Sequence, residues 1–380
     1  MGALAGKSPP GELGELVRFF LRLGLTAFGG PAAHIGLMQN EAVERRGWMS
    51  REQFLDLVGA CNLLPGPSST QVAMALGYSR AGWTGLAAAG TCFILPASLA
   101  TLALAWAYVR YGSLPQAQGL LYGAKPVMVA IVAQAIWNLG RMAFRRRALA
   151  LAGLACFAAV LLGAPPIAVL LTSGGVAMLA AGQRAQHRPA AAPCVALAPM
   201  ALGGATAGVA GLASLFLVFL KLGVVVFGSG YVLLAFLKAD LVDRLHWITE
   251  PQLLDAITAG QVTPGPVFAT ATFLGYLLRG WAGAAVATVA IFLPSFLMAG
   301  LVGALAGRIR KSKLAAAFLD GVNAAAVALM AFVALALGRG ALVDSFAWAV
   351  GLASAVLLVR FRVNATWLIL AGGALGILLH

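Results

Sequence analysis

A chain of 380 residues that is 61% hydrophobic and only 10% charged, with a mean hydropathy of +0.91, is excluded from the ordinary soluble domains, in which about a quarter of residues carry charge. Unbroken apolar runs such as 99–109 and 148–162 exclude a transmembrane barrel, whose strands alternate apolar and polar over about 10 residues, and leave an all-α polytopic membrane protein. The net charge of +14 is spread thinly over loops and helix ends, which marks topology and contact with anionic membrane lipid and argues against nucleic acid.

At about 20 residues per crossing, hydropathy predicts six membrane segments in each half of the chain. The amino terminus lacks a short apolar core with a cleavage site, so no cleaved signal is expected. The first segment carries Arg18 and Arg22 and runs into Phe28-Gly29-Gly30-Pro31, with His34 one turn later. A mixed-charge loop around Trp48 leads to Asn62 and the triplet Pro65-Gly66-Pro67, followed by Ser68, Ser69, Thr70 and Gln71. Later segments are bounded by Arg110, by Lys125-Pro126 within the chain of apolar residues, by Arg141 with Arg145 to Arg147, and by the turn at Pro165. Residues 183–213 form a linker whose Pro/Ala/Gly-rich part, 194–212, is long enough for one extra crossing.

The second half repeats the first. FLRLGLTAFGG at 20–30 is answered by FLKLGVVVFGS at 219–229, and at the same offset Trp48 meets Trp247 and Pro65-Gly66-Pro67 meets Pro264-Gly265-Pro266. After a single-residue deletion the register resumes: Gly77-Tyr78 meets Gly275-Tyr276, Gly82-Trp83 meets Gly280-Trp281, and Leu95-Pro96 meets Leu293-Pro294. The chain divides into a first repeat, 15–182, and a second, 214–379. Their basic loops carry opposite bias: Arg141 and Arg145 to Arg147 face a lone Arg339, while Arg110 faces Arg308, Arg310, Lys311 and Lys313. Under the positive-inside rule this predicts inverted halves joined by the extra span.

Inverted repeats place transport sites near mid-membrane, where broken helices meet. Proline removes a backbone donor and glycine accepts dihedrals closed to other residues, so each Gly/Pro cluster is expected to interrupt a helix and begin a new half-helix. The free N–H groups and positive dipole end of such a half-helix suit an anion. Donors after the first triplet, Ser68 to Gln71, outnumber those after the second, where Thr270 is the nearest equivalent; Asn62 and Gln261 occupy matching places before the triplets. Arg22 and Lys221 are repeat equivalents two turns before their breaks, which predicts a pair of cations for a doubly charged substrate. His34 is the candidate for proton coupling. Lys125 and Asp320 are read either as a cross-half ion pair or as interface residues. Glu41, Glu44, Asp56, Asp240, Asp243 and Asp255 read mainly as interfacial anchors and gates. The cysteines, Cys61, Cys92, Cys156 and Cys194, have no CxxC spacing, and neither a disulfide framework, a metal nor a cofactor is called for.

The strings FLRLGLTAFGGPAAHIG, RRGWMSREQFLDLVGACNLLPGPSSTQ and GYSRAGWTG resemble the amino-terminal half of the chromate ion transporter family, and FLKLGVVVFGSG, HWIT and GQVTPGP its carboxy-terminal half. The resemblance implies antiparallel halves and export of chromate across a bacterial inner membrane. It carries the motif residues Arg22, Gly29, Gly30, Pro31, His34, Pro65, Gly66, Pro67 and Gln71 over as first-half site candidates, and Lys221, Gly228, Pro264, Gly265 and Pro266 as second-half ones. Ser229-Gly230-Tyr231 departs from the full GGP, which sets the two breaks apart. A dianion leaving a cell negative inside gains about 4.6 kcal/mol per 100 mV, so export runs downhill electrically. Sulfate, also a tetrahedral dianion, makes a sulfate or other oxyanion permease the alternative. No nucleotide, metalloprotease or paired nucleophile motif supports an enzyme. A homodimer is left open.

Overall fold

The computed structural model describes residues 10–28, 30–62, 64–144, 147–184, 211–227, 230–309, 313–361 and 363–379. The first repeat contains α1 (Pro10–Thr26), α2 (Gly30–Gln39) continuing into a π-helical turn (Asn40–Arg45), α3 (Arg51–Asn62), α4 (Ser68–Tyr111), α5 (Pro115–Ala143), α6 (Arg147–Leu161) and α7 (Pro166–Arg184). The second contains α8 (Leu212–Val225), α9 (Val232–Leu237) with its own π-helical turn (Lys238–Arg244), α10 (Glu250–Val262), a 3-10 turn (Val267–Ala269), α11 (Thr270–Ile309), α12 (Lys313–Ala341), α13 (Ser345–Arg360) and α14 (Ala365–Leu379). The order recurs with its irregularities, and no strand occurs among the described residues. Spans long and apolar enough to cross a membrane lie at Ser68–Tyr111, Pro115–Ala143, Val267–Leu301 and Ala316–Ala341. The expected linking span, Gly29, Gly228 and Ser229 lie outside the described residues, apart from the last two residues of that span.

Local chemistry explains the irregular points. α4 is a helical hairpin rather than one rod: Ala81 (φ −138°) and Gly82 (φ 59°, ψ −144°) leave the helical region, and Arg279 (φ −145°) and Gly280 (φ 59°, ψ −147°) do the same in α11. Glycine at the turn accepts a φ that a side chain would strain. The arms then close so tightly that a Cβ on Gly77 would collide with the Gly85 carbonyl, and one on Gly275 with that of Gly283. In a straight helix those residues would stand about 12 Å apart. Tyr78 against Trp83 and Tyr276 against Trp281, edge to face at 5.5 and 5.4 Å, brace the two turns. The arm before each turn rises only about 20 Å, short of the hydrocarbon core of about 30 Å. Elsewhere, Pro115 opens α5, and Thr249 with Gln252 forms a capping box on α10.

Both repeats bury the same positions: Leu16 and Leu215, Phe20 and Phe219, and Phe54 and Leu253 are all fully buried. The repeats are not separate bodies, however. α5 packs on α13 and α14 of the second repeat, and α12 on α6 and α7 of the first. Small residues permit this exchange: Gly119 and Gly123 meet Gly372 and Gly376, while Gly321 meets the backbone of Ser173, whose hydroxyl donates to the Gly321 carbonyl at 2.8 Å.

The arrangement also settles the relation of the halves. Gly140 faces Val327 and Gly338 faces Val129, two repeat-equivalent contacts that require α5 and α12 to run antiparallel. Trp83 against Gly300 and Gly90 against Phe296 show the same for the second arms of α4 and α11. A two-fold operation that exchanges antiparallel helices has its axis perpendicular to them. For helices of membrane-crossing length, that axis lies in the membrane plane, and the repeats are inverted.

Candidate functional site

Both Pro-Gly-Pro triplets, Phe28, Phe227 and Gly230 are non-helical, Gly30 and Pro31 begin α2, and the breaks cross each other at the centre. Pro65 forms an isolated antiparallel bridge with Phe227, and Gly66 N donates to the Val226 carbonyl at 2.6 Å. In the mirrored contact Gly265 N donates to the Ala27 carbonyl at 2.9 Å. Each triplet therefore satisfies the loose backbone of the other repeat's break, which extended strand-like residues inside a membrane protein require. Gly66 (φ 118°) and Gly265 (φ 100°) hold the conformations that make the crossing possible. Pro67 and Pro266 precede the next helical turns with extended backbone.

His34 sits beside this crossing, buried, edge to face with Phe93 at 5.4 Å between ring centroids. Its Nε2 lies 3.2 Å from the Ala27 carbonyl, an acceptor only, so Nε2 carries the proton and, in the neutral ring, Nδ1 accepts from the Ser69 hydroxyl at 3.4 Å. Ser69, Thr70 and Gln71 are buried beside it; Gln71 Nε2 donates to the Pro65 carbonyl, holding the break. Thr70 Oγ1, Gln71 Oε1 and Ser295 Oγ are buried without hydrogen-bond partners, and both Gln71 and Ser295 press against Gly66. Unused polar groups at this density mark a place that handles something polar.

In front of the crossing lies a cavity of about 410 Å³. Pro31 at the start of α2 and Ser68 at the start of α4 both line it, so two half-helix N-termini border one space. Asn62, Asn138 and Asn323 supply further donors; Tyr231, whose hydroxyl is hydrogen-bonded with Gln261, and Gln134, with its amide nitrogen committed to the Leu358 carbonyl at 3.0 Å, also line it. No lysine or arginine is among the described lining residues, and Asp320 is their only carboxylate. The amides Gln134 and Asn138, one turn apart on α5, and Asn323, beside Asp320 on α12, form polar stripes in apolar helices, a pattern open to sequence reading.

Of the residues singled out from sequence, Pro31, Asn62, Ser68 and Asp320 line the cavity, whereas Gly30, Pro65, Gly66, Pro67, Ser69, Thr70, Gln71 and His34 belong to the crossing and its surroundings and are not among the lining residues. The second triplet does not reach it: Pro264, Gly265 and Pro266 are absent from the lining, and Thr270 is buried with its hydroxyl on the Val267 carbonyl at 2.8 Å. Gln261, half-buried, also stays off the lining. The expected cation pair is not assembled there either. Arg22 is exposed on α1, and Lys221 is bound to Asp240 at 2.7 Å, with Arg244 on the same carboxylate at 3.2 Å. The sequence register placed Arg22 and Lys221 correctly as equivalents but could not show that a carboxylate had claimed one of them.

A family profile for chromate transporters matches residues 14–179 and 213–377, both repeats of the chain. The chain belongs to the chromate transporter family. This transporter is 33% identical over 378 residues to the chromate transport protein of Cupriavidus metallidurans, covering 97% of its own length and 93% of that relative's. It is 32% identical over 350 residues to the probable chromate transport protein of Synechococcus elongatus, with 90% and 89% covered. The chromate transport protein of Pseudomonas aeruginosa is 33% identical over 335 residues, with 85% and 80% covered. No solved structure matches the chain.

The charges of the transporter fall into networks away from the cavity. Lys125 pairs with Asp255 at 3.0 Å, a cross-repeat ion pair, but not with Asp320. Asp240 and Asp255 are buried, so they are not interfacial anchors. Position 41 and its equivalent 240 are hubs in both repeats with different cations: Glu41 binds Arg46 at 2.8 Å and Arg45 at 3.1 Å, whereas Asp240 binds Lys221 and Arg244. At Glu41, in the polar turn outside the spanning segments, burial raises the carboxyl pKa, but hydrogen bonds and charge from Arg46 and Arg45 outweigh it and hold it below the ordinary value.

Proposed function

We propose that this membrane transporter exports chromate from the cytoplasm across a bacterial inner membrane as a secondary transporter. The observation that carries the reading is the cavity bordered by the N-termini of α2 and α4 and by the neutral donors of Asn62, Ser68, Asn138 and Asn323. A dianion held by neutral N–H and O–H groups is bound strongly yet carries no fixed counter-ion, so it can leave. The relatives named as chromate transport proteins support chromate as that ion. Sulfate has the same shape and charge, and the donors described here recognise both.

Export is downhill in a cell negative inside by about 4.6 kcal/mol per 100 mV for a dianion, so the potential suffices as the driving force. Proton coupling would run through His34, which touches Ser69 next to the lining Ser68, or through Asp320 in the cavity itself. The test is uptake of radiolabelled chromate into everted membrane vesicles, with and without excess sulfate, with potential and proton gradient collapsed separately. Protein-dependent accumulation abolished by collapse of the potential is expected. No accumulation in energised vesicles would refute chromate export, and accumulation suppressed by sulfate at equal concentration would establish a broader oxyanion carrier.

A further inference from the structure

A second cavity, about 230 Å³, is lined by Tyr108, Gln118, Tyr122, Lys125 and Asp255 together with Gly340, Ala341 and neighbouring residues. Its position is not arbitrary. Under the repeat register Tyr122 is the equivalent of Asp320, Lys125 of Asn323, Gly340 of Met142 and Ala341 of Ala143, and each of those four partners lines the large cavity. The two cavities therefore share, on α5 and α12, four positions related by the in-plane two-fold. They lie at opposite ends of the antiparallel pair α5 and α12, with fully buried Met128 on α5 between them.

The two cavities differ in charge. At the small cavity Lys125 meets Asp255 at 3.0 Å, and the Tyr108 hydroxyl donates to the other oxygen of Asp255 at 3.0 Å, tying α4, α5 and α10 together. The Tyr122 hydroxyl donates to Asp344 beside it. At the large cavity the place of Lys125 is taken by Asn323, and Asp56, the sequence equivalent of Asp255, is not among the lining residues, so the ion pair has no copy there. One end is broad, with the Asp320 carboxylate and no cation among its described lining residues, and the other is narrow and latched by an ion pair.

We propose that the small cavity is the second vestibule of the transport path and that Lys125 is its oxyanion subsite, blocked in this conformation by Asp255. A tetrahedral dianion that has crossed exchanges with the Asp255 carboxylate on the same ammonium, so arrival of the ion and opening of the latch are one event. Among the described residues, Lys125 is the only cation lining either of the two cavities. The subsite deepens the transport reading given above and rests on it for the identity of the anion.

The experiment uses the full chain with Cys61→Ala, Cys92→Ala, Cys156→Ala and Cys194→Ala, in oriented vesicles, and a membrane-impermeant maleimide. Ala143→Cys probes the large cavity and Ala341→Cys the small one. Labelling from opposite sides of the membrane is expected, and Asp255→Asn should raise labelling of Ala341→Cys by about tenfold. Sulfate or chromate, but not chloride, should then slow that labelling. Protection should be lost in Lys125→Gln/Asp255→Asn and kept in Lys125→Arg/Asp255→Asn, each checked for a monodisperse peak in detergent. Labelling of both probes from one side, or anion protection that persists without Lys125, would overturn the proposal. Protection by sulfate with none by chromate would leave the subsite standing and refute the chromate reading instead.

Discussion

Replacing Gly66 by alanine tests whether the crossed break is a built device or incidental irregularity. The residue has φ 118°, where an L side chain is strained, and an added Cβ would stand 2.6 Å from Gln71 Nε2 and 3.0 Å from Ser295 Oγ. Backbone strain of this kind costs about 1–3 kcal/mol and overpacking about 1–3 kcal/mol more, so Gly66→Ala should cost about 2–6 kcal/mol. Gly82 provides the control. It also has positive φ, 59°, but nothing lies within 4 Å of its added Cβ, so Gly82→Ala bears the strain term alone, about 1–3 kcal/mol. Thermal unfolding of the detergent-solubilised proteins, followed by fluorescence-detected size exclusion, measures the pair. Because the new methyl also pushes Gln71 off the Pro65 carbonyl, chromate uptake should fall further in Gly66→Ala than in Gly82→Ala at equal folded protein. If Gly66→Ala unfolds no earlier than Gly82→Ala, the crowding around the break is not what the geometry indicates, and the reasoning fails.

Ser68→Ala and Asn138→Ala each remove one donor from the cavity and should raise KM for the transported oxyanion by roughly tenfold to a hundredfold, the worth of a hydrogen bond to a charged group, with Vmax changed less. Arg22→Gln, on the outward face of α1, should lower transport less than Ser68→Ala does, and the reverse order would restore a role for the cation. Lys221→Met should destabilise the protein by about 2 kcal/mol because Asp240 keeps only Arg244, and Asp240→Asn in the same chain should recover part of that loss; additive losses would refute the coupling. Glu41 has a depressed carboxyl pKa in the folded protein, so its contribution to stability is present above the unfolded-state value and is lost as pH falls through the folded one. Glu41→Gln should therefore flatten the acid limb of a plot of melting temperature against pH, and an unchanged limb would show that the Arg46 pair contributes nothing.

Much of the fold was legible in residue order alone. A composition with so few charges leaves no means of remaining in water, and paired strings such as FLRLGLTAFGG and FLKLGVVVFGS show the duplication without coordinates. Opposite basic bias in equivalent loops predicted inversion, because charge placement at a membrane is a one-dimensional property of the chain. The Gly/Pro clusters marked the breaks for the same reason: missing donors and permitted dihedrals belong to the residue itself.

What depended on tertiary structure is everything that compares distant residues. The sequence could not show that α5 packs with α13 and α14 rather than with its own repeat's last helices, since glycine faces suit either partner. It could not show that Gly77 and Gly85 fold one apolar run into a hairpin, because hydropathy is blind to direction. Nor could it show which equivalent charges stay available. Lys221 is neutralised by Asp240, nineteen residues on, and Lys125 by Asp255 from the other repeat, while Asn138 and Asn323, from opposite repeats, line one cavity. Residue type and spacing determine where a helix breaks and where a membrane segment lies; whether a charge is free depends on its nearest neighbour in space, and only the packed halves supply that neighbour.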